Sequence, residues 1–131
     1  MSMTWIICGA GRGVGKTTLA RNMCKILPGS VYAKRGHCQP KPHKPGNFFN
    51  TLGDLRSFIK SSQDDAEHII AESNSLAHLK LADITIFIDG IAGVTDFRED
   101  SEKLKAIADV QVSRDSSDLE WKKVLKTRMP S

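Results

Sequence analysis

The sequence has few of the features that mark secreted, disulfide-stabilised or membrane-spanning proteins. Its 131 residues include three cysteines, Cys8, Cys24 and Cys38, and an odd number at wide spacing argues against a disulfide framework. No apolar run approaches the roughly 20 residues that cross a bilayer. The first residues have neither the basic flank nor the cleavage site of a signal peptide. We therefore expect a cytoplasmic protein without a membrane association.

Acidic residues are almost missing from the first half of the chain. Residues 1–60 contain ten Lys or Arg and one acid, Asp54, whereas residues 61–131 contain nine Lys or Arg and fourteen acids. A basic half favours a polyanionic ligand. Aromatic residues make up only 6% of the chain, and no nucleic-acid recognition module is present, so the pattern argues against nucleic acid as that ligand. Size and composition predict one globular domain over residues 1–131.

The most informative stretch is the glycine-rich sequence GAGRGVGKTT at residues 9–18. It follows a short apolar run, residues 5–8, and precedes a helix-forming segment. Strand, glycine-rich turn and helix is the context of a phosphate-binding loop, whose strict pattern is G-x-x-x-x-G-K-S/T. Ala10 occupies the first glycine position. That departure is mild, because backbone amides rather than side chains bind phosphate in such a loop.

The pattern assigns a role to each position of this loop. Lys16 is expected to reach the β- and γ-phosphates of a nucleotide, and the Thr17 hydroxyl to ligate Mg²⁺. The N-terminus of the following helix adds its partial positive charge. The predicted nucleotide-binding residues of the loop are Ala10, Gly11, Arg12, Gly13, Val14, Gly15, Lys16, Thr17 and Thr18.

Hydrophobic periodicity predicts alternating strands and helices. Strands are predicted at residues 4–8, 30–34, 68–72, 83–89 and 109–113, and helices at 16–27, 51–60, 73–82 and 97–108. Right-handed crossovers then give an α/β fold, a three-layer α/β/α sandwich with a mainly parallel sheet, as in the P-loop NTPase fold. Numbered along the chain, the five predicted strands are expected in the order 2-3-1-4-5. Residues 114–131 are predicted to be a tail that is helical from 119 to 128.

Two acids follow apolar strands, Glu72 and Asp89. A phosphate loop needs one such carboxylate near Mg²⁺, beside the loop threonine. Both acids are predicted at the edge of the sheet where the loop lies, so both are candidate metal residues together with Thr17. Lys16, Glu72 and Asp89 are the candidate catalytic residues.

Residues 35–50, the basic loop, contain three prolines and two glycines and are predicted to lack secondary structure. Lys34, Arg35, His37 and Lys44 are candidate contacts to phosphate or to a second substrate. Its histidines and Cys38 lack the spacing of a zinc site. A solvated loop without a ligand is the alternative.

The chain resembles the MobB family, the molybdopterin-guanine dinucleotide biosynthesis protein B. Besides the glycine-rich stretch, the resemblance lies in KRGH at 34–37, KPG at 44–46, IIAE at 69–72 and IFIDG at 86–90. It implies an often dimeric, weakly hydrolysing GTP-binding protein that assists the enzyme joining GMP to molybdopterin. By the resemblance Lys16, Thr17 and Glu72 serve GTP and Mg²⁺, which favours Glu72 over Asp89. Lys34, His37 and Lys44 would line the side of the second substrate.

The sequence leaves the nucleotide base and the class of activity open. A base-reading N-K-x-D motif is missing, so GTP and ATP are both candidates. A small-molecule kinase is one alternative, although residues 94–108 are too acidic for an arginine-rich lid. A non-enzymatic, nucleotide-switched adaptor is another. Arg12, acting across a homodimer, is the one arginine nominated to assist hydrolysis, and turnover is expected to be slow.

Overall fold

The computed structural model describes residues 2–11, 14–35, 47–49, 51–91, 95–113 and 122–123, apart from the side chains of Arg35, Asn47 and Phe48. Its strands are β1 (Met3–Gly9), β2 (Ser30–Arg35), β3 (Asn47–Phe49), β4 (His68–Glu72), β5 (Ile84–Ile88) and β6 (Val110–Val112). Its helices are α1 (Lys16–Ile26), α2 (Leu52–Ser62), α3 (Asn74–His78) and α4 (Ser101–Ile107). The predicted α/β architecture is therefore confirmed for these residues.

The six strands form one sheet in the order β3-β2-β4-β1-β5-β6, and every pair of neighbouring strands is parallel. The order predicted for five strands is confirmed, and β3 is added at the edge beside β2. The prediction that residues 35–50 lack secondary structure is wrong at both ends. Arg35 ends β2, and residues 47–49 pair with β2 while Phe49 packs against Phe58 of α2, with ring centroids 5.1 Å apart.

Helices cover both faces of the sheet. α1 packs against β1, β2 and β4, whereas α2, α3 and α4 contact one another in succession. Ile6 of β1 lies beside α2. Because successive residues of a strand point to opposite faces, Ile7 lies on the face covered by α1, as does Glu72, with which it is in register. Right-handed crossovers explain the division, because the chain steps one way across the sheet after β1 and the other way after β3.

The central strands are buried along their whole length. All five residues of β4 and all five of β5 are buried, as expected for parallel strands covered on both faces. Parallel strands share one carboxyl edge, so Gly9, Glu72 and the residues after Ile88 lie at the same end of the sheet. Open α/β sheets bind their ligands at that edge.

Two helices are shorter than predicted. α3 ends at His78 rather than at residue 82. Lys80, two residues after that end, takes a left-handed conformation with φ of 52°. α4 begins at Ser101 rather than at residue 97, because Phe97 pairs with Gly11 in an antiparallel bridge. Of the predicted tail helix only residues 122–123, which are helical, are described. In the described part of the chain, no helix has the length and apolar character that a bilayer crossing needs.

Candidate functional site

The start of the glycine-rich loop (residues 9–15) is anchored on both sides of β1. The Gly9 amide donates to Oδ1 of Asn74 at 3.0 Å, and Nδ2 of Asn74 donates to the Gly9 carbonyl at 3.1 Å. On the other side, the Ala10 amide donates to the Ile88 carbonyl at 3.0 Å. The sequence predicts Asn74 only as a residue of the helix at 73–82, and the cap of this helix is Ser73. Asn74 instead fixes the point where β1 becomes the loop.

The loop turns back tightly over the end of β1. A Cβ atom on Gly9 would lie 2.6 Å from Cγ2 of Val14 and 3.2 Å from Cδ of Lys16, so no other residue fits without displacing them. The aliphatic stem of Lys16 therefore lies across the Gly9 backbone. Gly15 has a φ of 105°, a left-handed conformation that favours glycine.

The N-terminus of α1 is left open. Thr51 caps α2 by accepting from the Asp54 amide, and Ser73 caps α3 by accepting from the Leu76 amide. α1 has Gly15 at this position and receives no side-chain cap from the described residues. Its first amides have no acceptor within the helix and carry the positive end of the helix dipole. An anion at the glycine-rich loop would satisfy them.

Beside this helix end, Glu72 is the centre of a buried polar cluster. Its Oε2 atom accepts from the Tyr32 hydroxyl at 2.6 Å and from the Thr17 hydroxyl at 3.0 Å. Nζ of Lys34 lies 3.5 Å from Oε1. Glu72 is only 5% exposed, and its donors offset the cost of removing the carboxylate from water. We call Thr17, Tyr32, Lys34 and Glu72 the Glu72 cluster.

The Glu72 cluster brings together two residues that the sequence predicted for Mg²⁺, Thr17 and Glu72. Tyr32 was not predicted. Strand alternation gives a signal for it, since Tyr32 and Lys34 share one face of β2 and Lys34 is in register with Glu72. Hydroxyl and carboxylate oxygens are the donors that Mg²⁺ prefers, usually with phosphate and water completing its coordination. The donor set therefore fits this ion.

Positive charge exceeds negative charge around the loop. Burial lowers the pKa of Lys16; Glu72 opposes that shift, while Arg98 and Lys34 add to it. Burial, together with the charge and hydrogen bond of Glu72, raises the pKa of Tyr32, so its hydroxyl stays protonated. Arg98 and Lys34 therefore add to the positive charge that acts on Lys16, which an anionic ligand would offset.

Asp89, the other candidate acid, is occupied elsewhere. Its Oδ2 atom accepts from Nζ of Lys105 on α4 at 3.1 Å, and Oδ1 accepts from the Gly90 amide at 2.9 Å. The hydrogen bond to Asp89 raises the pKa of Lys105. The structure thus places Glu72, and not Asp89, against Thr17. The described residues contain no group of three or more His, Cys, Asp or Glu side chains that could hold a metal by themselves.

Residues 95–98 form a contact with the loop that the sequence did not indicate. Phe97 bridges Gly11, and the Arg98 amide donates to the Ala10 carbonyl at 2.8 Å. A Cβ atom on Gly11 would overlap the carbonyl oxygen of Asp96. The helical periodicity of this segment concealed the contact, which places Arg98 beside Ala10 of the loop.

The structure gathers a large part of the predicted nucleotide-binding set at one edge of the sheet. Thr18 is exposed on the first turn of α1. Arg12, Gly13, His37 and Lys44 lie outside the described residues, as does the side chain of Arg35, so their roles stay predictions. The residues brought together are Ala10, Gly11, Val14, Gly15, Lys16, Thr17 and Lys34.

Comparison with protein-family models, with curated proteins and with solved structures gives no match to the chain. The resemblance to MobB therefore depends on the sequence motifs alone. The geometry contributes something separate. It shows a glycine-rich loop before a helix N-terminus that no described side chain caps, with a lysine across the loop and a hydroxyl–carboxylate pair beside it.

Proposed function

We propose that the chain has the P-loop NTPase fold and binds a nucleoside triphosphate with Mg²⁺, which it hydrolyses slowly. The observation that carries the proposal is the contact of Thr17 with Glu72 at the open N-terminus of α1. Glycine-rich turns occur in many proteins. A hydroxyl in the first turn that touches a buried strand-end carboxylate is what a magnesium-dependent phosphate site requires.

The phosphates are bound mainly by the backbone and by Lys16. Amides of the loop and of the first turn of α1 donate to the phosphate oxygens, and the helix dipole adds to their attraction. Because the Lys16 stem is held over Gly9, its ammonium group needs little reorganisation to meet the β- and γ-phosphates. Preorganised donors of this kind stabilise the charge that moves onto the phosphates during bond cleavage.

Thr17 and Glu72 would hold Mg²⁺. When bound, the ion neutralises charge on the β- and γ-phosphates. Tyr32 keeps the Glu72 carboxylate oriented toward the loop, and Lys34 balances its charge from the side of β2. Asp89, tied to Lys105, is left out of this assignment.

Hydrolysis is slow on this proposal because Glu72 is engaged by hydroxyl and ammonium groups and is not free to take a proton from water. We expect turnover below about 10 s⁻¹ without a partner, within the lower part of the usual range for enzymes. The resemblance to MobB supports GTP as the nucleotide and an accessory role in molybdenum cofactor biosynthesis. Molybdopterin, or the enzyme that uses it, would then meet the protein on the side of Lys34.

Calorimetric titration with GTP and ATP analogues that resist hydrolysis, with and without Mg²⁺, tests the proposal. We expect magnesium-dependent binding of one analogue, with GTP preferred, and a loss of at least about 100-fold, or 2.8 kcal/mol, for Lys16→Ala. Lys60→Ala, an exposed lysine on the other face of the sheet, is the matched control and should bind normally. No binding of either analogue at about 1 mM, the weak end of specific affinity, would reject the proposed function.

A further inference from the structure

Residues 95–98 are attached to the glycine-rich loop by backbone pairing. The bridge between Phe97 and Gly11 and the hydrogen bond from the Arg98 amide to the Ala10 carbonyl fix the backbone that leads into the arginine. Gly11 allows this approach, because any side chain there would overlap the Asp96 carbonyl. The position of Arg98 relative to the loop is therefore built into the fold.

Arg98 is exposed, and no acidic side chain of the described residues forms an ion pair with it. Asp100, the N-cap residue of α4, is turned toward α3, where its Oδ2 atom lies 2.8 Å from Nε2 of His78. The geometry instead places a second cation beside Arg98, because the Lys16 stem lies over Gly9 and the Arg98 amide bonds to the next residue, Ala10. Two like charges held near each other are relieved by an anion that both contact.

We propose that Arg98 contacts the terminal phosphate of a nucleoside triphosphate bound at the glycine-rich loop and distinguishes triphosphate from diphosphate. The inference rests on the proposed function and extends it to a residue and a ligand preference. A guanidinium is always charged and donates two parallel hydrogen bonds to phosphate oxygens, which makes it suited to this contact.

The layout of the sheet puts Arg98 on the opposite side of the loop from Glu72. Glu72 ends β4 and Arg98 follows β5, and β1 with its loop lies between those strands. A triphosphate at the loop would then have the magnesium-side carboxylate on one flank and a guanidinium on the other. Arginine contacts to a transferring phosphoryl group stabilise its transition-state charge. Arg98 supplies this contact from within the same chain, so an arginine from a second protomer is not required.

The test compares Arg98→Ala and Arg98→Lys with the control Arg56→Ala, an exposed arginine on α2. Affinities are measured for a non-hydrolysable triphosphate analogue and for the diphosphate, with single-turnover hydrolysis alongside. For Arg98→Ala we expect a loss of at least about 10-fold for the triphosphate, under about threefold for the diphosphate, and hydrolysis at least about 10-fold slower. Arg98→Lys should recover part of the triphosphate affinity, and Arg56→Ala should change neither.

Equal losses for triphosphate and diphosphate, or no loss for either, would overturn the inference while leaving the proposed function intact. Failure of the wild-type protein to bind either nucleotide would reject the proposed function itself. A second measurement on the wild-type protein needs no variant. Phenylglyoxal modification, mapped by mass spectrometry, should be blocked at Arg98 by the triphosphate analogue more than by the diphosphate, with Arg56 unaffected. Unchanged modification of Arg98 under saturating triphosphate would also overturn the inference.

Discussion

The Tyr32 hydroxyl donates to Oε2 of Glu72 at 2.6 Å, the same oxygen that accepts from Thr17. Tyr32 is only 9% exposed, so the phenol is fixed by packing and in turn fixes the carboxylate. The hydrogen bond therefore sets the direction in which Glu72 presents its other oxygen. Tyr32, a residue of β2 that lies outside the glycine-rich stretch of the sequence, thus positions the acid proposed for Mg²⁺.

Tyr32→Phe should keep the packing and remove the donor. Loss of a hydrogen bond to a buried carboxylate predicts a decrease of about 1 to 3 kcal/mol in the free energy of unfolding. The magnesium concentration needed for half-maximal nucleotide binding should rise several-fold, while binding without Mg²⁺ changes little. Urea denaturation and calorimetry measure the two effects. A variant with wild-type magnesium dependence would show that Tyr32 has no part in positioning Glu72.

Lys16→Met should weaken nucleotide binding without lowering the stability of the fold. Burial lowers the pKa of Lys16, which means that the fold disfavours its ammonium form relative to water. An uncharged chain of similar length is therefore expected to leave the melting temperature at pH 7.5 equal or higher, although nucleotide binding falls at least about 100-fold.

The same pKa direction fixes the pH dependence of that effect. The penalty on wild-type stability is complete below the lowered folded-state pKa and is relieved as pH rises from there toward 10.5, the ordinary value for lysine. The stability of the wild-type protein should therefore gain on that of Lys16→Met across this window. Melting temperatures of both proteins at pH 7.5 and pH 10 measure the difference, and a gain of Lys16→Met on the wild type as pH rises would contradict the assignment.

Gly9→Ala and Gly53→Ala form a matched pair. A methyl group on Gly9 lies within 2.6 Å of Val14 and displaces the Lys16 stem, whereas one on Gly53 meets nothing closer than Oγ1 of Thr51 at 4.0 Å. We expect Gly9→Ala to lose stability and nucleotide affinity together. Gly53→Ala, in the first turn of α2, should gain up to about 1 kcal/mol because alanine favours a helix. Equal behaviour of the two variants in thermal melts would rule out the steric explanation.

Protonation of His68 is expected to lower the stability of the fold at mildly acidic pH. The Trp5 indole donates from Nε1 to Nδ1 of His68 at 3.2 Å, so that nitrogen must be unprotonated. Burial lowers the pKa of His68, and Glu67 opposes the shift. Stability is therefore complete above the ordinary pKa of about 6.5 and is lost as pH falls below it. His68→Asn should be less pH-dependent than wild type in urea midpoints between pH 7.5 and 5, and an unchanged slope would refute this role.

The sequence predicted those parts of the molecule whose signals are local. The apolar runs of β4 and β5 end at the acids Glu72 and Asp89. The glycine-rich stretch after β1 has the spacing expected of a phosphate-binding loop. These signals placed Lys16, Thr17 and Glu72 correctly at one edge of the sheet. The order of the strands followed from crossover handedness and short connections.

The contacts that escaped prediction are between residues far apart in the chain. Phe97 belongs to a segment with helical periodicity, yet pairing with Gly11 decides its conformation. Asn74 has the local signature of a helix cap, yet its side-chain amide forms two hydrogen bonds with the backbone of Gly9. Local propensity differs by only tenths of a kcal/mol among such residues, so tertiary hydrogen bonds outweigh it.

The two attachments of Gly9 and Ala10 join the loop to the outer layer opposite α1. Asn74 is the first residue of α3, Arg98 lies just before α4, and these helices touch through His78 and Asp100. A shift of the loop on ligand binding would therefore reach the layer of helices on the far side of the sheet. Amide hydrogen exchange that slows in α3 and α4 with nucleotide would reveal this transmission; exchange confined to α1 would show that the two layers respond independently.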